Sequence, residues 1–351
     1  MTTEVDVAVI GAGQAGLSSA YFLRRAELDF VVLDANAGPG GAWQHRWPTL
    51  RLGGVHGIHE LPYFPFESED LDRPASEVVA EYFGAYERKF ALPIRRPVKV
   101  QSVTDGPRLR VETDHGVWMA RALINATGTW DRPFWPRYPG QSGFLGTQLH
   151  TADYPGPTAL EGKRVVVVGG GSSAVQALME IAPVAAATTW VTRRPPVFRT
   201  EPFTQEVGRA AVARVEEAVR AGRSPASVVS VTGLSVTPEV TAARESGVLD
   251  RQPMFERVLP TGVAWADGRF VEADVILWAT GFRAALDHLA PLGLRGPGGG
   301  IVMDGTRVAA DPRLHLVGYG PSASTIGANR AGRAAVREIR ALLGQRTTTA
   351  A

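Results

Sequence analysis

Near the N-terminus, residues 5–16 read VDVAVIGAGQAG, an apolar stretch that runs directly into the pattern G-x-G-x-x-G. The apolar part is mostly β-branched, as is typical of a buried parallel strand. Gly11 permits a tight turn, Gly13 lets the backbone approach a pyrophosphate, and Gly16 allows the following helix to pack closely on the strand. A second apolar strand ends in Asp34, 23 residues after Gly11, where a carboxylate can accept hydrogen bonds from a ribose. Together these features predict a dinucleotide-binding βαβ unit.

The same unit recurs between residues 164 and 194. A strand of valines is followed by Gly169–Ala174, which has the pattern G-x-G-x-x-A, and then by a helix and a second strand. That strand is followed by Arg193 and Arg194, and Arg193 lies 24 residues after Gly169. An arginine pair can bind a 2′-phosphate, which an acid would repel, so this unit favours NADPH and leaves NADH as the alternative. An ordinary solvated turn is the other interpretation of the pair.

The whole chain has 351 residues, a length that suits two domains. Hydrophobic residues make up 44% and charged residues 21%, which is typical of a globular protein and argues against a disordered one. Cysteine is absent, which excludes disulfides, thiolate metal sites and redox-active dithiols, and the net charge of +2 does not indicate a nucleic-acid partner. No apolar run reaches the roughly 18 residues of a membrane-spanning helix, and the N-terminus enters a strand without room for a signal peptide. We therefore expect a cytoplasmic protein with no membrane partner.

Two further segments, Leu123–Gly128 and Val275–Gly281, each have the pattern of a strand that closes with Ala-Thr-Gly. Small residues let the chain pass between domains close to a cofactor, so Gly128 and Gly281 are assigned to the cofactor sites. The prediction is an α/β protein with two Rossmann-like dinucleotide-binding domains, the second inserted into the first. Chain order favours FAD in the first domain. The predicted bounds are 1–156 and 282–351 for the discontinuous FAD-binding domain and 157–281 for the NAD(P)H-binding domain.

A third motif lies between the first Ala-Thr-Gly and the second glycine-rich turn. Residues 144–154 read FLGTQLHTADY, which has the form F-x-G-x-x-x-H-x-x-x-Y. This segment resembles the fingerprint of the class B flavin-containing monooxygenases, and it occupies the interval in which that family carries it. Gly40–Trp43 is similar to the family's G-G-x-W segment. The resemblance extends over essentially the whole chain and suits a compact bacterial member.

The resemblance implies an oxidoreductase that uses FAD, NADPH and O2 and oxygenates a small substrate containing nitrogen, sulfur or a carbonyl group. In that family NADPH reduces the flavin, and O2 then gives a C4a-(hydro)peroxyflavin, while the protein contributes position, exclusion of water and hydrogen bonding. The residues expected to bind FAD are Gly11, Gly13, Gly16, Asp34, Gly41, Trp43, Gln44, Val100 and the turn at Gly318. Those expected to bind NADPH are Gly169, Gly171, Ser172, Ser173, Arg193 and Arg194. A homodimer is compatible with such folds.

The catalytic residues are less well marked than the cofactor sites. His150 has two interpretations: it positions NADP between the domains, or it is a hydrogen-bonded structural histidine. Many members carry an asparagine shortly after G-G-x-W, whereas residues 49–56 contain none. His56 and Arg51 are therefore taken as candidates near the flavin, and no catalytic residue is assigned. Tyr154 favours the branch that oxygenates heteroatoms over the Baeyer–Villiger branch.

Two other classes of protein remain open from the sequence. A reductase of thioredoxin-reductase-like architecture, without redox cysteines, would pass electrons from NAD(P)H to ferredoxin or a flavin. The length and the two nucleotide units allow it, and the fingerprint at 144–154 argues against it. A non-catalytic regulator that binds NADP is the third interpretation. The seven histidines show no spacing typical of a metal site, so none is predicted.

Overall fold

The computed structural model describes residues 2–55, 58–200, 205–225 and 233–348, which form an α/β fold. No helix within these ranges is long and apolar enough to cross a membrane. The helices are α1 (Gln14–Arg25), α2 (Ala75–Lys89), α3 (Ser172–Ile181), α4 (Gln205–Arg220), α5 (Pro238–Glu245) and α6 (Thr325–Thr348). The strands are β1 (Thr2–Ile10), β2 (Phe30–Leu33), β3 (Ile94–Arg95), β4 (Val100–Thr104), β5 (Leu109–Thr113), β6 (Gly116–Asn125), β7 (Thr147–His150), β8 (Arg164–Val168), β9 (Ala187–Thr192), β10 (Phe198–Arg199), β11 (Leu234–Ser235), β12 (Arg251–Pro253), β13 (Arg257–Leu259), β14 (Gly262–Ala264), β15 (Phe270–Glu272), β16 (Val275–Trp278), β17 (Met303–Asp304), β18 (Arg307–Val308) and β19 (Asp311–Leu316).

The larger sheet is built around β1, which lies between the parallel strands β2 and β6. Val7 and Val9 on this strand are fully buried because α1 and α6 cover one face, where Leu17 and Ile339 join the same core. Beyond β6 the sheet continues through β19, β18 and β17, and the antiparallel pair β4–β5 also attaches to β6. Because β19 and α6 come from the end of the chain, the chain returns to the first sheet after leaving it.

The second sheet has five parallel strands in the order β12-β9-β8-β16-β7. Its central strand β8 is almost entirely buried, and Leu178 and Ile181 of α3 pack in its core. Strand β7 pairs with β16, so this sheet begins at Thr147, ten residues before the predicted domain start at 157. The four residues of β7 are mostly polar and show no apolar alternation, which is why sequence patterning did not reveal the strand. The division into domains itself remains a prediction.

One local arrangement is repeated at the carboxyl ends of β1 and β8. Gly11 and Gly169, the first glycines of the two motifs, have φ angles of +96° and +148°. A Cβ on Gly11 would lie 2.7 Å from the carbonyl oxygen of Ala126, and one on Gly169 would lie 2.1 Å from that of Ala279. These two alanines begin the Ala-Thr-Gly segments. Each sheet therefore has, at the carboxyl ends of its strands, a glycine-rich turn that packs against an Ala-Thr-Gly segment.

Candidate nucleotide sites and the junction between them

The first glycine-rich turn leaves the N-terminus of α1 open to an anion. Gly13 is the N-cap, no side chain caps the helix, and its first turn contains no acidic residue. A Cβ on Gly13 would have only the Cα of Gly41 within 4 Å, at 3.9 Å, whereas one on Gly16 would lie 1.8 Å from the carbonyl oxygen of Gly11. Gly16 is thus required for helix–strand packing, and Gly13 keeps room above the free helix N–H groups. This cradle fits a nucleotide pyrophosphate.

Asp34 lies at the end of β2, as predicted, and it is buried. Arg96 donates from Nε to its Oδ2 at 2.7 Å and binds Glu87 with two further hydrogen bonds of 2.7 Å. Burial alone would lower the pKa of Arg96, but the hydrogen bonds to Glu87 and Asp34 outweigh it and raise that pKa. Asn36 donates to the other oxygen, Oδ1. A carboxylate has about four acceptor positions, so roughly one remains for a ribose hydroxyl.

Two other residues predicted to bind FAD are placed by backbone contacts near this acid. The amide of Gln44 donates to the carbonyl oxygens of Gly38 and Gly41, both at 3.2 Å, so it holds the G-G-x-W turn in place. The N–H of Val98 donates to the carbonyl oxygen of Asp34 at 2.8 Å, which brings the segment leading to Val100 beside the ribose acid. Contacts of these residues with a nucleotide remain predictions.

Gln14, the first residue of α1, forms polar contacts that no sequence motif predicts. Gln14 donates from Nε2 to Asn329 Oδ1 at 3.1 Å and to the carbonyl oxygen of His59 at 3.3 Å, while its Oε1 is buried and has no hydrogen-bond donor among the described residues. Asn329 lies in α6, and Gly318, with φ of +81°, packs against Ala15 of α1 just before that helix. A buried acceptor without a donor fits a bound molecule that supplies an N–H, as an isoalloxazine ring does.

The second glycine-rich turn has the same open cradle. Gly171 is the N-cap of α3, which begins with Ser172 and Ser173, and the helix has neither a side-chain cap nor an acid in its first turn. A Cβ on Gly171 would meet no atom of the described part of the chain within 4 Å. At the end of β9, Arg193 and Arg194 are exposed, and neither forms an ion pair within the described ranges. These features fit a second pyrophosphate and an additional phosphate.

Arg251 holds the strand end from which this arginine pair projects, and no sequence motif predicts this role for it. It donates from Nε to Thr192 Oγ1 at 2.6 Å and from Nη2 to the carbonyl oxygen of Thr192 at 3.1 Å. Thr192 in turn donates from Oγ1 to the carbonyl oxygen of Arg194 at 2.8 Å. Arg251 of β12 therefore anchors, through Thr192, the loop that carries the two arginines.

His150 of the fingerprint is completely buried, and both ring nitrogens are used. Nδ1 accepts from the N–H of Ala152 at 3.0 Å, and Nε2 lies 3.0 Å from the carbonyl oxygen of Gly281, which can only accept. The ring is therefore neutral and protonated on Nε2, and burial lowers its pKa, opposed in part by the bond to Gly281. These contacts are those of the structural histidine, the second interpretation above. A direct contact with NADP remains untested.

The molecule has two halves, one built on the first sheet and one built on the second. Tyr154, the last fingerprint residue, connects them through Glu180 near the end of α3. It donates to Glu180 Oε2 at 3.3 Å. From the first half, Thr49 donates to the same oxygen at 2.7 Å and Trp47 donates from Nε1 to Oε1 at 3.1 Å. The fingerprint thus contains residues that fix one half against the other.

The two Ala-Thr-Gly crossings are hydrogen-bonded to each other. The N–H of Phe134 donates to the carbonyl oxygen of Gly281 at 2.9 Å, and that of Ala285 donates to Gly128 at 3.0 Å. Both glycines have positive φ, and a Cβ on either would have no neighbour within 4 Å among the residues that the structure describes. Just beyond them, Trp130 stacks on Phe282 with ring centroids 5.0 Å apart. We call this meeting point of the two nucleotide-binding edges the junction.

The two catalytic candidates do not gain a role from the structure. His56 lies outside the described residues. Arg51 is exposed, and its backbone forms an isolated bridge with Pro74. The candidate role of Arg51 at the flavin remains a prediction, and no side chain is assigned as a proton donor or acceptor for the reaction.

Two Rossmann-like units with open phosphate cradles, joined at one junction, define an oxidoreductase with two dinucleotide sites. The model of the pyridine nucleotide-disulphide oxidoreductase family matches residues 8–294. A flavin-containing monooxygenase from Stenotrophomonas maltophilia has a solved structure that is 42% identical, with a TM-score of 0.83 over 97% of this chain and 99% of that one. An uncharacterized CzcO-like oxidoreductase from Geobacillus kaustophilus is 26% identical over 79% of this chain and 80% of its own length. The rice indole-3-pyruvate monooxygenase YUCCA1 (Oryza sativa subsp. japonica) is 25% identical over 79% of this chain and 76% of its own length.

The chain therefore belongs to the pyridine nucleotide-disulphide oxidoreductase family and, within it, to the flavin-containing monooxygenases. It is a flavin-dependent monooxygenase, and it uses a flavin, a nicotinamide nucleotide, O2 and an organic substrate. The predicted fold class and enzyme class are confirmed. The interpretation as a non-catalytic regulator is set aside by this membership.

Proposed function

We propose that the enzyme binds FAD at the first glycine-rich turn and takes NADPH, in preference to NADH, at the second. The observation that carries this proposal is the charge at the two strand ends. Asp34 is buried and bound to Arg96, whereas Arg193 and Arg194 are exposed cations without a carboxylate partner in the described ranges. A free arginine pair matches the 2′-phosphate that distinguishes NADPH from NADH.

The residues described above bind and orient the two nucleotides and shield the junction from water. The free N–H groups of α1 and α3 bind the two pyrophosphates, and Gly13 and Gly171 leave room for them. A bound flavin supplies the hydride acceptor and the reaction with O2. His150 holds the loop at Gly281, and Trp130 stacks on Phe282 to cover the junction, so the side chains there limit the access of water.

The proposed substrate is a small molecule that offers nitrogen, sulfur or a carbonyl group. Relatives named as flavin-containing, indole-3-pyruvate and Baeyer–Villiger monooxygenases support this range without selecting within it. Tyr154 donates to Glu180 at the contact between the two halves, and its association with heteroatom oxygenation rather than ketone oxygenation stays a prediction. A homodimer also remains a proposal, which light scattering after size exclusion checks.

The nucleotide preference is tested with the double variant Arg193→Ala/Arg194→Ala. Reduction of the flavin by NADPH and by NADH is followed anaerobically by stopped flow. We expect the Kd for NADPH to rise roughly 10- to 100-fold, with NADH unaffected, because charge-assisted bonds to the 2′-phosphate are lost. The matched control is Arg24→Ala/Arg25→Ala, another exposed adjacent pair at the end of α1. Equal effects on both nucleotides would contradict the proposal.

Oxygen transfer separates the enzyme from a reductase of similar fold. Candidate amines, sulfides and ketones are incubated with NADPH and ¹⁸O2, and the products are examined by mass spectrometry. Incorporation of one ¹⁸O atom into a product is the expected result. Electron transfer to ferredoxin or free flavin, with no labelled product from any of these classes, would favour the reductase.

A further inference from the structure

Arg46 lies at the junction, just after the G-G-x-W segment. Its guanidinium carbon is 4.6 Å from the ring centroid of Trp130 and 5.6 Å from that of Trp43. Trp130 follows the first Ala-Thr-Gly and stacks on Phe282, which follows the second. Because each Ala-Thr-Gly lies against a glycine-rich turn, Arg46 is placed where the two nucleotide sites face each other.

Among the described residues, Arg46 has no carboxylate partner of the kind that Arg96 and Arg313 have. Its Nε is buried without a hydrogen-bond acceptor, and no ion pair joins it to a carboxylate within the described ranges. Arg96, by contrast, binds Asp34 and Glu87, and Arg313 binds Asp311 and Asp105. The described chain therefore compensates the charges of Arg96 and Arg313 with carboxylates and compensates that of Arg46 with aromatic rings alone.

Aromatic rings balance only part of the desolvation of a guanidinium. Burial lowers the pKa of Arg46, which is the direction expected for a cation that has left water without gaining an anion. Both ring centroids lie within the distance of a cation–π contact, and an aromatic ring offers the N–H donors no lone pair as a hydrogen-bond acceptor. The five N–H donors point outward in the plane, in the fork that matches two oxygens of a carboxylate or a phosphate.

We propose that Arg46 is an oxyanion-binding residue at the junction, held beside Trp43 and Trp130 and using its N–H groups to bind a carboxylate or a phosphate. Two sources can supply this chemistry: a carboxylate on the substrate, or a phosphate of a bound nucleotide. The inference rests on the proposed function only in that it places two nucleotides at the junction. The unpartnered, ring-clamped cation is independent of which nucleotide is preferred.

The experiment compares Arg46→Met and Arg46→Lys with the wild-type holoenzyme. The control is Arg25→Met, which removes another arginine that lies over an aromatic ring, 5.6 Å from Tyr63, at the far end of α1. FAD content is measured first from the absorbance ratio, together with the circular dichroism spectrum. Binding of NADP⁺, benzoate and the neutral analogue benzamide is then measured by flavin difference spectroscopy at fixed ionic strength.

We expect Arg46→Met to weaken one oxyanion roughly 10- to 100-fold, with Arg46→Lys in between and Arg25→Met unchanged. Loss of benzoate with benzamide retained assigns a substrate carboxylate. Loss of NADP⁺ affinity, or loss of FAD from a folded Arg46→Met protein that Arg46→Lys restores, assigns a nucleotide phosphate. Wild-type affinity for all probes in Arg46→Met, or an equal loss of benzamide and benzoate, would overturn the proposal. Failure of the NADPH preference would instead appear in the wild-type enzyme, so the two failures are distinguishable.

Discussion

The two glycine-rich units have the same type of turn after their first strands, and they differ in the residues that follow their second strands. In the first unit, Asp34 is buried and linked through Arg96 to Glu87. In the second, Arg193 and Arg194 are exposed on a loop that Arg251 anchors through Thr192. A closed, buried network suits a nucleotide that stays bound, because it is complete before the ligand arrives. Exposed cations suit a nucleotide that must be captured and released in each cycle, since they attract it from solvent.

The largest expected difference between the units concerns their third motif position, which is Gly16 in one and Ala174 in the other. In Gly16→Ala, the new Cβ would lie 1.8 Å from the carbonyl oxygen of Gly11. We expect this variant to lose FAD and on the order of 5 kcal/mol of stability, measured by thermal unfolding and by the flavin absorbance ratio. The reciprocal Ala174→Gly should lose only about 1 kcal/mol, the penalty of glycine in a helix. Similar losses in both would contradict the comparison.

Arg96→Met breaks the network of the first unit. It leaves Asp34 and Glu87 buried without their cation, so we expect a loss of about 3–5 kcal/mol in the free energy of unfolding, together with weaker FAD binding. Urea denaturation checks the stability. Arg73→Met is the control, because its pairs with Glu77 and Glu81 are exposed and should contribute little. An Arg96→Met protein as stable as the control would show that the network does not hold the first unit.

Acid should weaken the core of the first unit through a buried histidine. His315 on β19 is fully buried, its Nε2 has no hydrogen-bond partner in the described ranges, and burial lowers its pKa to about 4. The unfolded chain then binds a proton that the folded chain does not, so stability falls as the pH drops from the unfolded pKa of about 6.5 towards 4. The slope from this one group is about 1.4 kcal/mol per pH unit in that window. Denaturation at pH 7, 6 and 5 should show a flatter pH dependence in His315→Leu, and an unchanged slope would contradict this prediction.

The smallest expected effect is confined to the second unit. Thr192→Val removes the hydroxyl that joins Arg251 to the carbonyl oxygen of Arg194. We expect a loss of about 1 kcal/mol in stability and a rise of about fivefold in KM for NADPH, because the arginine loop is held less well. KM for NADH and the FAD content should stay as in the wild type. An equal rise in both KM values would indicate general damage to the domain.

The sequence predicted what depends on short spacing. Gly11, Gly16 and Gly169 have local reasons to be glycine, and their turns are found where the motifs place them. Arg96 lies 62 residues from Asp34, and Arg251 lies 59 residues from Thr192, so no spacing within a motif reveals either partner.

The fingerprint was informative about the family and less so about the roles of its residues. The fingerprint leaves His150 with two interpretations and associates Tyr154 with the type of substrate, whereas the described contacts of these residues are with Gly281 and Glu180. The sequence does not indicate the role of Arg46 either. Its significance comes from lacking a partner, which is a property of the three-dimensional environment and has no sequence pattern.

Helix α3 connects the contact at Glu180 with the second phosphate cradle. The carboxylate lies in the last turn of the helix and is bound by Trp47 and Thr49 of the first half, while the opposite end of α3 carries the phosphate cradle at Gly171. The helix has 10 residues and is about 15 Å long. Gly171 lies nine residues from Glu180, so a rotation of about 10° about Glu180 would displace the cradle by roughly 2.4 Å, given the rise of 1.5 Å per residue. The hydrogen bonds to Glu180 therefore tie the position of the second phosphate cradle to Trp47 and Thr49, at a distance from the cradle itself.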